Sequence, residues 1–238
     1  MKQKSKDADA VTVALYLGGL PSAALLAKMS LTGERPDAVV TPDSGAETVE
    51  SMRYLDVLAG WLSRKGFPSL TVVRATGTLE NRCQTRKELP DPVSCSYSYR
   101  QRPVESHLAE RYGTDGFVVL FPTDPGVAYA PRAVASRVGP SRYRFPLEGL
   151  SRREYERSVL EAGLPLPPGG GCFFCPLSSP AEVRSLTEQQ ASRAVALEVV
   201  SGQKLGGAWA WSAVINRKIH PADGPRPSPE WCRQGRDR

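Results

Sequence analysis

Cys172-Phe173-Phe174-Cys175-Pro176 follows the run Pro167-Pro168-Gly169-Gly170-Gly171, so a glycine-rich turn leads directly into a C-x-x-C spacing. That spacing sets two thiols on one side of a tight bend, as a metal half-site does. Proline after the second cysteine is common where cysteines hold iron–sulfur clusters. The same spacing also serves a zinc knuckle, a redox dithiol or two buried free thiols. A further thiol, Cys95, stands in Ser94-Cys95-Ser96-Tyr97-Ser98-Tyr99-Arg100-Gln101-Arg102, beside two arginines and two tyrosines. Guanidinium groups at that density suit phosphate or sulfate, which they grip bidentately; a solvated basic turn is the plainer reading. Leu17-Gly18-Gly19-Leu20-Pro21-Ser22 has a third chemistry: paired glycines before a helix start let backbone N–H groups approach an anion. The fourth is acidic, Asp43-Ser44-Gly45-Ala46-Glu47, where Asp43 and Glu47 could cap a helix or meet a ribose, a metal or a base.

The elements that must position these residues follow from patterning. Val11, Val13 and Leu15 predict a buried first strand running into the Gly-Gly turn, and Pro21 suits the first turn of the Ala/Leu-rich helix behind it. Residues 36–41 predict a second strand, residues 46–65 a helix with an apolar side, and Leu70–Val73 a third strand. This βαβαβ succession predicts an α/β fold, a Rossmann-like parallel sheet with helices on both faces. Thr76–Pro92 reads as a loop, Pro103–Tyr112 as a helix, Gly116–Phe121 as a buried strand and Ser151–Ala162 as a helix with a serine cap. Residues 123–142 read as an irregular cover for the pocket, in which Arg132, Arg137 and Arg142, with Arg144 just beyond, are available to anions. Trp209, Trp211 and Ile215 are expected to pack back on the body.

The chain has 238 residues, 40% of them hydrophobic and 24% charged, which suits one large globular α/β domain or one domain with an appendage. The divisions expected are a disordered 1–10, a domain over 11–205 and a partly disordered, cysteine-containing extension over 206–238. Apolar runs of about 18 residues are absent, and the polar MKQKSKDADA start lacks a signal-like apolar core, so a cytoplasmic protein without membrane partners is expected. A net charge of +6, with arginine far ahead of lysine, favours anionic ligands, nucleotide or nucleic acid. Five cysteines in such a setting point to thiol, metal or redox chemistry rather than disulfide staples.

Four segments taken together resemble the PP-loop, phosphoadenylylsulfate (PAPS) reductase-like proteins of the adenine-nucleotide α-hydrolase superfamily. The first is the Gly18-Gly19…Ser22 turn, similar to S-G-G-x-D-S but with Leu17 for the first Ser and Pro21 for the Asp. Asp43-Ser44-Gly45-Ala46-Glu47 resembles D-T-G-x-E. Cys95, Tyr99, Arg100 and Pro103 are in register with C-T-x-x-Y-K-x-x-P, and residues 167–176 resemble P-P-x-x-x-C-x-x-C-P. The resemblance implies a site for ATP or PAPS at Gly18, Gly19, Leu20, Ser22, Asp43, Ser44, Gly45, Glu47, Arg100 and Arg102. It also implies a [4Fe–4S] cluster, with zinc as the alternative, on Cys95, Cys172, Cys175 and Cys232, Cys83 being the other choice for the fourth ligand. The implied activity is attack at the nucleotide α-phosphate linked to sulfur transfer, with a nucleic-acid or sulfur-carrier acceptor. Sulfonucleotide reduction is one alternative, although Glu230-Trp231-Cys232 only faintly echoes the reductases' terminal E-C-G-L-H; a nucleotide-binding module without turnover is the other.

Overall fold

A computed structural model describes residues 10–122, 142–169 and 171–216. Five strands, β1 (Val11–Leu15), β2 (Ala38–Asp43), β3 (Leu70–Arg74), β4 (Phe117–Leu120) and β5 (Tyr143–Arg144), form one sheet in the order β3-β2-β1-β4-β5. Every pairing is parallel, with Ala14 opposite Val39 on one side and Leu120 on the other. Parallel sheets are covered on both faces, which is why β1 is a continuous apolar run rather than an alternating one. Its side chains alternate between two cores. Ala14 joins Val39 and the helices α1 (Leu20–Thr32) and α2 (Val49–Arg64) through Leu25, Leu26, Leu58 and Trp61. Val13 and Leu15 face the other way, toward Val40, Val104, Leu108, Phe117 and Val119. The protein is thus an α/β sheet with helices on both faces.

Two helical segments depart from the sequence reading. Thr76–Pro92, expected to be a loop, contains α3 (Leu79–Arg86), with the Thr78 hydroxyl accepting from Asn81 N–H at 3.1 Å as its cap. Only Leu79, Glu80 and Cys83 of that polar octet are buried, so it lacks an apolar stripe long enough to signal a helix. Likewise residues 92–101 are helical: α4 (Pro92–Ser96) runs through a π-helical turn (Tyr97–Gln101) into α5 (Arg102–Tyr112). Pro92 opens a helix here instead of stopping one. Pro103 has no N–H and its ring crowds the carbonyl four residues back, and the wide π turn lies directly before it.

The remaining helices among the described residues are α6 (Arg152–Glu161), α7 (Pro180–Arg184), α8 (Glu188–Ser201) and α9 (Trp211–Asn216). Ser151 caps α6 in a reciprocal capping box with Glu154. With α3, α7 to α9 build a third core around Phe173, Phe174, Val183, Leu197 and Trp211, and Cys83 and Cys172 are buried in it. Trp211 is 1% exposed there, with Trp209 and Ile215 packed against the same cluster. No helix among the described residues is long and apolar enough to cross a membrane. The expected disordered stretch at residues 1–9, the cover at residues 123–141 with Arg132 and Arg137, and the tail at 217–238 lie outside the described residues.

Candidate functional site

The carboxyl end of β1 stands where the strand order reverses, with β2 and β3 to one side and β4 and β5 to the other. Open parallel sheets leave a crevice at that point. Beyond Leu15, Leu17 N–H donates to the Ser22 hydroxyl at 2.9 Å, which ties the turn to the helix it precedes. Gly18 takes a left-handed φ of +87°, whereas Gly19, at φ −117°, is the helix cap in ordinary extended conformation. Of the two glycines only Gly18 is demanded by backbone conformation. Leu20 and Pro21 then open α1; Pro21 has no N–H and Ser22 N–H donates to the Gly19 carbonyl at 3.1 Å, which leaves Leu20 N–H for an acceptor outside the helix. Ser22 is 2% exposed and already spends an acceptor lone pair on Leu17.

One strand over, the acidic loop is folded by its own carboxylates. Asp43 accepts from Gly45 N–H at 2.8 Å and from Arg74 Nε at 3.0 Å. Glu47 accepts from the Ser44 hydroxyl at 2.7 Å and from Ala46 N–H at 3.0 Å. Gly45 sits at φ +72°, and a Cβ there would meet Thr78 Cγ2 at 2.6 Å. Burial alone would raise the Asp43 carboxyl, but the hydrogen bonds from Gly45 N–H and from Arg74, with that cation's charge, leave it below the ordinary aspartate range.

Arg100, in the π turn, joins the two loops. Its guanidinium lies 3.9 Å from Glu47 and donates to the Leu17 carbonyl at 3.4 Å. Leu17, Gly18, Asp43, Glu47 and Arg100 line one crevice with Thr41, Pro42, Ser51, Met52, Leu55 and Gly171. Its free volume of about 20 Å³ has room for a water or two. Arg102 is exposed at the start of α5 and is not among these lining residues. Arg142, expected to be available to anions, instead pairs with Asp115 and donates to the Phe117 carbonyl at 3.1 Å, holding the start of β4. Ser51 carried no sequence signal beyond its place on the first turn of α2, and Met52 reads in the sequence only as part of that helix's apolar side.

The cysteine turn is stitched to the acidic loop. Phe173 N–H donates to the Ala46 carbonyl at 2.8 Å, and Cys172 pairs with Glu47 in a single antiparallel bridge. Phe173 and Phe174 meet edge to face at 4.8 Å, and Arg193, paired with Glu80, lies 4.4 Å above the Phe173 ring. Cys175 N–H closes the turn onto the Cys172 carbonyl at 3.1 Å. Cys172 is buried and Cys175 partly exposed. The neighbouring Cys172, helped by Leu177 N–H and by Arg100, holds Cys175 below the ordinary thiol value although burial opposes it, while the neighbouring Cys175 and burial push Cys172 up. Burial, and then the neighbouring Cys175, pushes Cys95 up to about 12. Cys83 is buried in the same cluster. Of the four ligands expected for a cluster or zinc, Cys232 lies outside the described residues. Among the described residues no three His, Cys, Asp or Glu side chains are gathered as a metal's ligands are.

No family model, curated protein or solved structure matches the chain.

Proposed function

We propose that the chain binds an adenine nucleotide, ATP or PAPS, across the carboxyl edge of a Rossmann-like sheet and acts at its α-phosphate. The observation that carries this reading is the meeting, at one crevice, of the Gly18–Gly19 turn, the Asp43–Glu47 loop and Arg100. The loop glycines and the Leu20 N–H offer backbone donors with the positive end of α1 behind them. Such donors stabilise charge developing at phosphorus without reorganising. Arg100, once it leaves Glu47, neutralises the departing pyrophosphate, or the sulfate of PAPS. Asp43 and Glu47 stand on the ribose or metal side of the same crevice. A net charge of +6 favours an anionic acceptor such as a nucleic acid.

Gly19→Val is the substitution that tests the cradle. The φ of Gly19 is open to any residue and a Cβ there meets nothing closer than Pro21 Cδ at 3.7 Å, so the fold should survive. A branched side chain at the mouth of the turn should cut nucleotide affinity at least about tenfold, roughly 1.4 kcal/mol. Titration with ATP and with PAPS measures it, and unchanged affinity for both in the variant would place the nucleotide elsewhere. Exchange of labelled pyrophosphate into ATP identifies α-phosphate chemistry. Sulfite from PAPS with no pyrophosphate from ATP assigns the reductase reaction, and binding without either product assigns a nucleotide-binding module.

A further inference from the structure

The strand β3 stands at one end of the sheet order, and among the described residues no strand pairs with its outer side. It reads Leu-Thr-Val-Val-Arg, in unbroken register with β2, and so lacks the proline, lysine or bulge that commonly blunts an exposed edge. Its one charge, Arg74, is held by Asp43 at 3.0 Å. Ala75 N–H, next along the ladder, donates inward to the Asp43 carbonyl at 3.2 Å. Backbone groups of a parallel strand alternate in direction, so Thr71 and Val73 also turn theirs to β2, whereas Leu70, Val72 and Arg74 turn N–H and C=O outward. Side chains alternate too. Val73 is buried with Val104 and Leu108, Leu70 packs on the opposite core, and Val72, on the same face as Leu70, is 44% exposed.

The crossover helix α2 leaves a stripe open on that same side. Glu50, Val57 and Arg64 follow one another at seven-residue intervals, close to two turns each, and all three are exposed, Val57 by 43%. Ser51, Met52 and Leu55 line the crevice with Gly18. Val57 comes two residues after Leu55, about 200° round the helix, so its stripe faces away from the crevice and out past β3. Arg64 lies along this flank, its Nη1 3.4 Å from where a Cβ on Gly60 would stand. Neither Glu50 nor Arg64 meets an opposite charge among the described residues.

We propose that this edge is an interface between two copies of the chain, related by a two-fold axis beside Val72 and Val57, with β3 pairing antiparallel to β3 of the second copy. The surface is complementary to itself, as such an axis requires. With the axis at Val72, that residue exchanges both outward hydrogen bonds with its own copy, and Leu70 does so with Arg74 of the second copy. Val72 is the middle residue of β3, and Val57 falls at the middle of α2, so one axis can serve both. At Val57 it brings the two exposed valines together. Glu50 and Arg64 lie equally far on either side, so Glu50 of each copy comes opposite Arg64 of the other, and opposite charges meet twice. The crevice lies on the other flank of α2 and stays open in both copies, so the proposal does not rest on nucleotide binding.

Sedimentation of the full-length chain, from micromolar to near-millimolar concentration, measures the association, and hydrogen exchange read residue by residue locates it. The wild type is expected to form a dimer in which protection of Val72 N–H rises with protein concentration, while Val73 N–H, turned to β2, is protected at every concentration. Val72→Lys puts a charge on the strand edge at an exposed position and should weaken association at least about tenfold. Glu50→Lys and Arg64→Glu each set like charges face to face and should each weaken it about tenfold, whereas the two together should bring it back to within about threefold of wild type. Misfolded variants could not produce that recovery. A chain that stays monomeric throughout overturns the proposal. Protection of Val72 N–H that ignores concentration also overturns it, by giving the edge to another segment of the same chain. A dimer indifferent to Val72→Lys, or one that the double variant fails to restore, is built on a different surface, and the proposal falls.

Discussion

Gly18, Gly19 and Gly45 show how far residue identity alone can be trusted. All three stand in segments expected to touch the nucleotide, yet they are there for different reasons. Gly18 and Gly45 occupy left-handed backbone, whereas Gly19 is free of any conformational demand. For Gly45 there is a second constraint, since a Cβ would press on Thr78 Cγ2 at 2.6 Å and on Thr78 Cβ at 3.0 Å. Thr78 cannot rotate away cheaply, because its hydroxyl caps α3. Gly45→Ala should therefore cost about 2 kcal/mol or more, strain and crowding together, in urea unfolding. Adding Thr78→Ser removes Cγ2 but keeps the capping hydroxyl, and should recover part of that loss while leaving the φ strain. An unchanged cost in the double variant would mean that Thr78 is not the obstacle. The two acidic residues were legible in the sequence as a loop at the sheet edge. Their use in folding that loop was not, because hydrogen bonds such as Glu47 to Ser44 depend on a turn that spacing does not dictate.

At the scale of elements, legibility tracked burial. β1, β2, α1 and α2 are strongly apolar or strongly periodic, and each lies within a few residues of where patterning put it. The polar helix α3 and the π turn before α5 escaped, because few of their side chains are buried and what holds them is a cap and a carbonyl geometry. That omission matters for the site, since the π turn is what carries Arg100 across to Glu47 and Leu17. Another device invisible in the sequence is the buried carboxylate of Glu198 in α8. It is 7% exposed and accepts from Leu205 N–H at 2.8 Å, Trp211 N–H at 2.8 Å and Ser212 N–H at 3.1 Å. One side chain thus satisfies the orphan donors at the start of α9 and a turn before it. Glu198→Gln keeps the size but loses the charge and one acceptor oxygen, leaving at least one buried N–H unpaired. The expected cost is about 1–3 kcal/mol, read by denaturation followed through Trp209 and Trp211 fluorescence. Stability within a few tenths of a kcal/mol of wild type would show that water replaces the carboxylate at no loss.

Across the whole molecule the three cores are not equivalent. Two of them sandwich the sheet and share β1, whereas the third, around Phe173, Phe174, Leu197 and Trp211, takes none of its buried members from a strand. Its ties to the sheet edge include the Phe173 N–H to Ala46 bond at 2.8 Å, the Glu47–Cys172 bridge and the Leu79 N–H to Ser44 bond at 3.1 Å. Units joined so locally open on their own, below the free energy of global unfolding. The Cys172–Cys175 turn and the Glu47 loop both lie on that seam, so opening this part exposes the proposed crevice and that turn together. Leu197 is 1% exposed, and Leu197→Ala should cost about 2–5 kcal/mol within the third core. Hydrogen exchange should then quicken through α8, α9 and residues 44–47 while β1 and β4 keep their protection. Leu25→Ala, at a fully buried position against the sheet, should instead lower protection everywhere. If Leu197→Ala speeds exchange at Val13 and Val119 as much as in α8, the third core is part of one cooperative unit. The crevice would then open only when the sheet itself unfolds.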